Sequence, residues 1–351
     1  MCYFLYSRNY FIKAFKKVEA IASTFLLLTV KEERGKLNIY IREKEWQVEG
    51  VQTSSKRAWG LLLVIIGATM WGVSGTVAQY LFQHKSFNAE WLVVVRMLVS
   101  GLLLLAIAAS KQRNIFAIWK TKEERTSLLL FGVIGMLGVQ YTYFAAIEAG
   151  NAATATVLQY TSPIFIIGYL AVQARKWPVK VEMISVVLVI TGTFFLATSG
   201  NFNELSITGW ALFWGIGAAV TSAFYTLQPK RLLAKWSSIE VVGWGMVIGG
   251  VSFSFIHPPW HIAGEWTLLS LCAVLFVIIF GTLIAFYCYL ESLKHISASE
   301  AIVLASAEPL SAAALSVLWL HVTFGWTEWL GTILIIATVF LLSQRKPEVT
   351  S

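Results

Sequence analysis

Long apolar segments separated by short polar loops run along the chain from about residue 57 to residue 345. Each segment approaches the roughly 20 residues that an α-helix needs to cross a bilayer. The pattern predicts ten membrane-spanning helices, at residues 59–82, 91–110, 127–147, 152–174, 181–198, 207–228, 239–256, 267–293, 298–320 and 326–343. We therefore predict an all-α integral membrane protein in which these ten spans leave no room for a soluble domain.

An internal repeat divides these spans. Residues 135–196 align with residues 281–342 at a constant spacing of 146 residues, and 14 of the 62 positions are identical. The identical pairs include Gly135/Gly281, Tyr143/Tyr289, Pro163/Pro309 and Glu182/Glu328. Ten spans form two sets of five, and an odd number of spans in each set orients the two copies oppositely. The sequence thus predicts two inverted five-helix repeats, at residues 59–198 and 207–343, an arrangement known from secondary transporters.

Basic residues are sorted between the two sides of the predicted bundle. Sixteen Lys and Arg residues fall in the loops and ends on one side, and only Lys85 falls in the loops on the other. By the positive-inside rule the first side is cytoplasmic, so both ends of the ten-span core lie inside. The net charge of +8 therefore reflects membrane topology, and we expect no nucleic-acid partner. A mean hydropathy of +0.68 with 13% charged residues agrees with a membrane protein.

The first 50 residues differ from the rest, because they mix nine basic and six acidic residues with one short apolar run at residues 20–30. That run is too short to span a bilayer. Three interpretations remain open: an interfacial amphipathic helix, a divergent signal sequence, or an upstream region that is not translated. The position of Lys56 and Arg57 just before the first span favours the last. We assign residues 1–55 to an N-terminal extension and residues 344–351 to a cytoplasmic tail.

Four short motifs resemble a known family. They are Trp71-Gly72-Val73-Ser74-Gly75, Asn151-Ala152-Ala153-Thr154-Ala155-Thr156, Ala307-Glu308-Pro309-Leu310 and Trp329-Leu330-Gly331-Thr332. In combination they resemble the EamA family of the drug/metabolite transporter superfamily, and within it the YicL-like transporters of bacterial inner membranes. The resemblance implies two EamA repeats, a central cavity lined largely by the first four helices of each half, and movement of small metabolites without ATP.

One departure from that family limits what the resemblance implies. Many members carry a Gly-Glu pair in the turns after the fourth and ninth spans. This chain has Arg175-Lys176 and His321-Val322 there. No role of the turn glutamate is therefore carried over to this chain.

Glu308 is the strongest candidate for a functional side chain. It lies near the middle of the ninth predicted span, where a charged residue costs about 2.5–3.5 kcal/mol to insert. Pro309 follows it and interrupts the helix, as Pro163 does in the first copy. A carboxyl group beside a broken helix is a typical ion or substrate site of such transporters, and its protonation would couple transport to protons. The alternative is a protonated glutamate with a structural role only.

Other polar and aromatic residues are candidates for lining the cavity. Arg96 is the only basic residue well inside a predicted span, and it either snorkels to the outer surface or holds an anionic substrate. The remaining candidates are Trp71, Gln140, Tyr141, Gln159, Tyr160 and Tyr287. Packing or interfacial anchoring is the alternative interpretation of each of these six.

Several functional classes are disfavoured by missing motifs. The sequence has no aspartate, no phosphate-binding loop ending in Gly-Lys-Ser/Thr, and no His-Glu-x-x-His or Gly-x-Ser-x-Gly motif. His257 and His261 are a weak metal signal, and we expect neither a metal nor a cofactor. We predict a bacterial inner-membrane secondary transporter, and not an enzyme, that moves a small amphipathic or zwitterionic metabolite such as an amino acid. A passive channel or a lipid flippase is the alternative, and both proton coupling and a homodimer remain open.

Overall fold

The computed structural model describes residues 37–110, 114–175, 177–199, 206–296, 301 and 304–343, with side chains from residue 56 to residue 342 within these ranges. The chain divides into two units, Met1–Lys56 and Arg57–Ser351. Of the first unit, only helical backbone from Leu37 onward is described. The start of the predicted N-terminal extension and the predicted tail after residue 343 lie outside the described residues.

The described residues form ten longer helices, a 3-10 helix at Ala117–Trp119 and a one-turn helix at Lys230–Leu233, joined by turns, with no β-strand among them. Two of these helices, α3 and α8, contain a wider π-helical turn, and α4 is interrupted near its middle. The helices are α1 (Leu37–Lys85), α2 (Ala89–Ser110), α3 (Lys122–Ala149), α4 (Ala152–Ala174), α5 (Lys180–Thr198), α6 (Gly209–Leu227), α7 (Ser238–Ser254), α8 (Leu268–Ser292), α9 (Ala307–Leu318) and α10 (Trp326–Ser343).

Seven of the helices are long and apolar enough to cross a membrane: α1 over Lys56–Lys85, α2, α3, α4, α5, α6 with its extension to Leu233, and α8. Three shorter apolar helices, α7, α9 and α10, occupy the predicted positions of the remaining spans. The predicted all-helical membrane fold is confirmed, and the predicted ten spans correspond to seven full-length helices and three shorter ones within the described residues.

The two halves share the same local distortions. A π-helical segment occupies Phe131–Leu137 of α3 and another occupies Ile279–Ile284 of α8. α4 breaks at residues 160–161, and a turn at Ser306 precedes α9. A proline follows each break and causes it, because the proline ring lacks an N–H and collides with the carbonyl four residues earlier. Since π-helical segments and broken helices often lie at functional sites, these distortions indicate where such a site would be found.

Equivalent helices of the two halves pack against each other, in the pairs α2 with α7, α4 with α9, and α5 with α10. The backbones of α5 and α10 come close together, since a Cβ added at Gly192 would lie 2.8 Å from the Gly331 carbonyl oxygen. A Cβ added at Gly331 would lie 2.6 Å from the Gly192 carbonyl oxygen. Small residues that let backbones touch are the usual basis of helix pairing in membranes.

Candidate functional site

A cavity of about 330 Å³ lies between the two halves. Helices α1, α2, α3, α4, α6, α8 and α9 supply most of its wall, and both distorted helix pairs contribute. Six of the eight candidate binding residues line it, together with one of the two helix-breaking prolines: Trp71, Arg96, Gln140, Gln159, Tyr160, Glu308 and Pro163. Most of the accessible wall is apolar, which is typical of small-molecule pockets that orient a ligand with a few polar groups.

The break in α4 and the turn that precedes α9 meet at one hydrogen-bonded contact. Pro309 has no N–H, so the carbonyl of Ala305, four residues earlier, loses its helical donor. The Tyr160 hydroxyl lies 2.7 Å from that carbonyl oxygen and 3.2 Å from Oε2 of Glu308, and it can donate to either. A side chain from the break in the first half thus replaces the backbone bond that is lost in the second half.

Glycine in α1 brings this helix against the Glu308 turn. A methyl group at Gly72 would overlap the Ser311 hydroxyl and the Glu308 backbone carbonyl. The Ser311 hydroxyl donates to that carbonyl at 2.9 Å. Trp71 points into the cavity, where its ring lies 5.1 Å from Phe286 and 5.3 Å from Tyr289 between centroids. The Trp-Gly pair therefore places an aromatic wall and a close backbone contact side by side.

Arg96 is a buried cation with unused donors. Its side chain is 4% exposed, its Nε donates to the Thr282 hydroxyl at 3.2 Å, and its guanidinium lies 4.4 Å from the centre of the Phe144 ring. Among the described residues no carboxylate lies within 4.0 Å of it, and its two terminal nitrogens have no hydrogen-bond partner. A buried charge without a counter-charge is costly, so these nitrogens are suited to binding an anionic group in the cavity.

Other polar side chains on the wall are also uncommitted. The Gln140 and Gln159 amides make no hydrogen bond to the described residues, and the Ser74 hydroxyl is buried without a partner. Buried polar groups are normally hydrogen-bonded, so a cluster of free ones around a cavity indicates a site that a ligand or water completes.

Two predicted lining residues lie elsewhere, because residues two apart on a helix point about 200° apart. Tyr143 and Tyr289 face the cavity, so Tyr141 and Tyr287 face away from it. The Tyr141 hydroxyl donates to Glu90 at 3.2 Å and its ring packs on Trp214 at 5.3 Å, whereas Tyr287 is 41% exposed on the bundle surface. The prediction that these two tyrosines line the cavity does not fit the structure.

Some residues of the cavity wall were not predicted from the sequence. On α6, Ser222 and Thr226 lie four residues apart and both face the cavity. Their i, i+4 spacing puts two hydroxyl groups on one face of an apolar helix, which was the available signal. The other missed polar or aromatic residues on the wall are Ser74, Phe144, Ser162 and Phe286.

The turn that contains His257 and His261 packs as a structural element. The Pro259 carbonyl accepts a hydrogen bond from the Trp91 indole at 3.0 Å, and the His261 N–H donates to the Pro258 carbonyl at 3.1 Å. Within the described ranges, no group of three or more His, Cys, Asp or Glu side chains is placed to hold a metal ion.

Comparison with known proteins identifies the architecture. The model of the EamA-like transporter family matches residues 58–198 and again residues 209–344. The Uncharacterized inner membrane transporter YicL of Salmonella typhimurium is 40% identical over 286 residues, which cover 81% of this chain and 95% of that protein. The Threonine/homoserine exporter RhtA of Escherichia coli K12 is 26% identical over 302 residues, covering 82% of this chain and 92% of that protein. The resemblance inferred from the four motifs is confirmed.

Among solved structures, a crystal structure of a protein superposes with a TM-score of 0.56 and covers 82% of this chain and 96% of that chain. Its sequence identity is 15%, so it supports the fold alone.

Proposed function

Because the chain belongs to the EamA-like transporter family, we propose that it is a secondary transporter of a small zwitterionic metabolite, such as an amino acid, in the bacterial inner membrane. Membership makes the protein a membrane transporter and not an enzyme.

One observation supports the choice of substrate: the guanidinium of Arg96, which has no carboxylate beside it, and the carboxylate of Glu308 line the same cavity. Arg96 would bind the carboxylate of an amino acid through its free terminal nitrogens, and Glu308 would bind the ammonium group. A ligand with both charges neutralises both groups at once, so neither is left unpaired. A ligand with a single charge leaves one of them without a partner.

The size and wall of the cavity support a small ligand. Its volume of about 330 Å³ is near the lower end of ligand pockets, which span roughly 300–1,000 Å³. Trp71, Phe286 and Tyr289 form an apolar side that suits the carbon chain of such a metabolite. The relatives named Threonine/homoserine exporter support amino acids as the first compounds to test, and the relative named as an inner membrane transporter supports the location.

The proposed mechanism is alternating access between two inverted five-helix halves, with both ends of the core in the cytoplasm. The internal repeat, the shared helix distortions and the pairing of equivalent helices support a duplicated unit. The one-sided distribution of Lys and Arg supports the opposite orientations of the two copies. In this mechanism Glu308 exchanges a proton for the substrate ammonium, which couples transport to the proton gradient.

Metabolite analysis of a deletion strain tests this proposal. The strain is complemented with the wild-type chain, with Glu308→Gln, or with Glu291→Gln, whose carboxylate pairs with Lys294 at 2.5 Å outside the cavity. We expect an amino acid to accumulate on one side of the membrane in the deletion strain, and wild type and Glu291→Gln to restore its distribution. Glu308→Gln at equal protein level should not restore it. No amino acid difference between the strains would contradict the proposal, and altered lipid asymmetry would favour a flippase.

A further inference from the structure

Gln79 lies where three helices meet, beyond the cavity toward the outer end of α1. Its side chain is fully buried, and its Oε1 accepts a hydrogen bond from the Ala152 N–H at the start of α4, at 2.9 Å. The Ser316 hydroxyl of α9 reaches the same oxygen at 3.5 Å. One amide group therefore ties α1 to both of the broken helices.

The contacts continue from Gln79 to the outer surface. Its Nε2 donates to Gln83 at 3.0 Å, and the Gln83 amide donates to the Gly150 carbonyl at 3.0 Å. The ring of Tyr80, on the next residue, stacks on Trp319 at 5.5 Å with an interplanar angle of 22°. The bonds at the buried Gln79 carbonyl oxygen and the aromatic stack close the space between α1, α4 and the end of α9, whereas the bond of the exposed Gln83 competes with water and contributes little.

The equivalent part of the second half is arranged differently. The last turns of α6, the first helix of the second half, contain Tyr225 and Thr226. Both of these α6 residues line the cavity, toward the cytoplasmic end of that helix. The C-terminal turns of α1 thus close one end of the bundle, whereas the C-terminal turns of α6 border the cavity. An inverted repeat with one end closed and the other open is the expected form of one state of alternating access.

We propose that Gln79 is the latch of an outer gate, and that the structure represents the state closed to the outside and open to the cytoplasm. This inference rests on the alternating-access mechanism of the proposed function. Opening requires α1 to separate from Ala152 and Ser316, which breaks the two hydrogen bonds at the Gln79 carbonyl oxygen. Because the amide is fully buried, removing its hydrogen bonds favours the open state without touching the substrate groups.

Cysteine accessibility tests the latch without any knowledge of the substrate. In a chain whose three cysteines are replaced by serine, Ser316→Cys is a near-isosteric reporter at a fully buried position beside Gln79. Intact cells are treated with a membrane-impermeant thiol reagent. Gln79→Met removes the hydrogen bonds at similar volume, and Gln83→Met is the matched control one turn away, on an exposed side chain.

We expect Gln79→Met to raise the labelling rate of Ser316→Cys from outside by about tenfold, the effect of losing hydrogen bonds of ordinary strength. Gln83→Met should change it less than about twofold. A second reporter, Ser222→Cys, lies at the other end of the cavity and should be labelled more slowly in inside-out vesicles when Gln79→Met is present.

Two results would overturn the latch. One is an unchanged rate at Ser316→Cys. The other is a parallel increase at both reporters, which shows general loosening of the bundle and no gate. Either result concerns the gate alone, since the amino acid proposal is judged by metabolite distribution in the deletion strain.

Discussion

The two halves of this protein share a backbone plan and differ in the side chains at the cavity. Both have a π-helical segment in the third helix and a break before a proline in the fourth. Yet Glu308 corresponds to Ser162 and Tyr160 to Ser306 at the repeat spacing, and Arg96 is the only Lys or Arg among the described residues that line the cavity. Duplication has supplied the distorted scaffold, and later divergence has placed a single cation on one half and a single carboxylate on the other.

The asymmetry also links the halves physically. The Tyr160 hydroxyl reaches the carbonyl freed by Pro309, and Arg96 donates to Thr282 of α8, so in both of these contacts the first half supplies the donor and the second half the acceptor. The hydroxyl of Ser306, the residue equivalent to Tyr160, is buried and has no hydrogen-bond partner within the described part of the chain. Substitutions that make the halves more alike therefore test which differences matter.

The largest effect is expected from making the charged positions symmetric. Glu308→Ser gives the second half the residue found in the first, Arg96→Val removes the cation of the first half, and each substitution removes a charged group from the cavity wall. Since hydrogen bonds to charged groups contribute about 1.5–3 kcal/mol, we expect transport to fall by about 10- to 150-fold in each variant. Initial rates of uptake into proteoliposomes measure this. Rates within twofold of wild type would show that the charges have no part in binding.

A smaller loss is expected on repairing the broken helix. Pro309→Ala restores an N–H that can bond the Ala305 carbonyl, which competes with the Tyr160 hydroxyl. The melting temperature of the purified protein should rise because alanine favours a helix, while transport should fall by about tenfold because the break is stiffened. Pro163→Ala is the comparison, and it should cost less transport because Ser162 replaces the glutamate there. Unchanged transport with a higher melting temperature would show that transport does not need the helix break at Pro309.

A further step down is expected for Tyr160→Phe. This substitution removes only the hydroxyl shared by Ala305 and Glu308, so the Ala305 carbonyl is left without its described donor. We expect a roughly three- to tenfold loss of transport, mainly as an increased KM because Glu308 is no longer held in place. Concentration-dependent uptake separates KM from the maximal rate. A normal KM would assign Tyr160 to packing alone.

The smallest effect on transport is expected for Tyr287 and Tyr289, two tyrosines that the repeat shares with Tyr141 and Tyr143. Tyr289→Phe alters a residue on the cavity wall, and Tyr287→Phe alters an exposed residue two positions away. We expect a loss of about twofold for the first, the effect of one weak hydrogen bond, and no change for the second. Competition assays with a panel of amino acids would detect the difference. A larger effect at Tyr287 would mean that the exposed face has a role.

The sequence predicted the scaffold well because its signals are local. Apolar length predicts helices in a membrane, and Glu308-Pro309 together with the repeated Pro163 predicts breaks near the centre. The repeat could not tell which identical residues face the cavity: Tyr141 and Tyr143 are both repeated, but only Tyr143 lies on the wall. The nearby π-helical segments also rotate the residues that follow them around the helix axis, and a prediction that assumes 3.6 residues per turn leaves out this rotation.

Long-range contacts were beyond the sequence for another reason. The sequence left open whether Arg96 extends to the surface or inward, and its position depends on Thr282, which is 186 residues away. Likewise, Ala305 is paired with Tyr160 because two helices from different halves meet at their breaks. Such pairs depend on how the helices pack, and neither residue carries a local signal for its partner.

The central claim is that Arg96 and Glu308 together select a zwitterion. Counterflow in proteoliposomes tests it directly: labelled threonine exchanges against internal unlabelled threonine, with the corresponding amine without a carboxylate and the corresponding acid without an ammonium group as competitors. We predict saturable exchange that other neutral amino acids inhibit, and that each singly charged competitor inhibits at least tenfold more weakly, as expected for loss of one charge-assisted contact. Equal inhibition by the amine or by the acid, or a flux that does not saturate, would contradict the account.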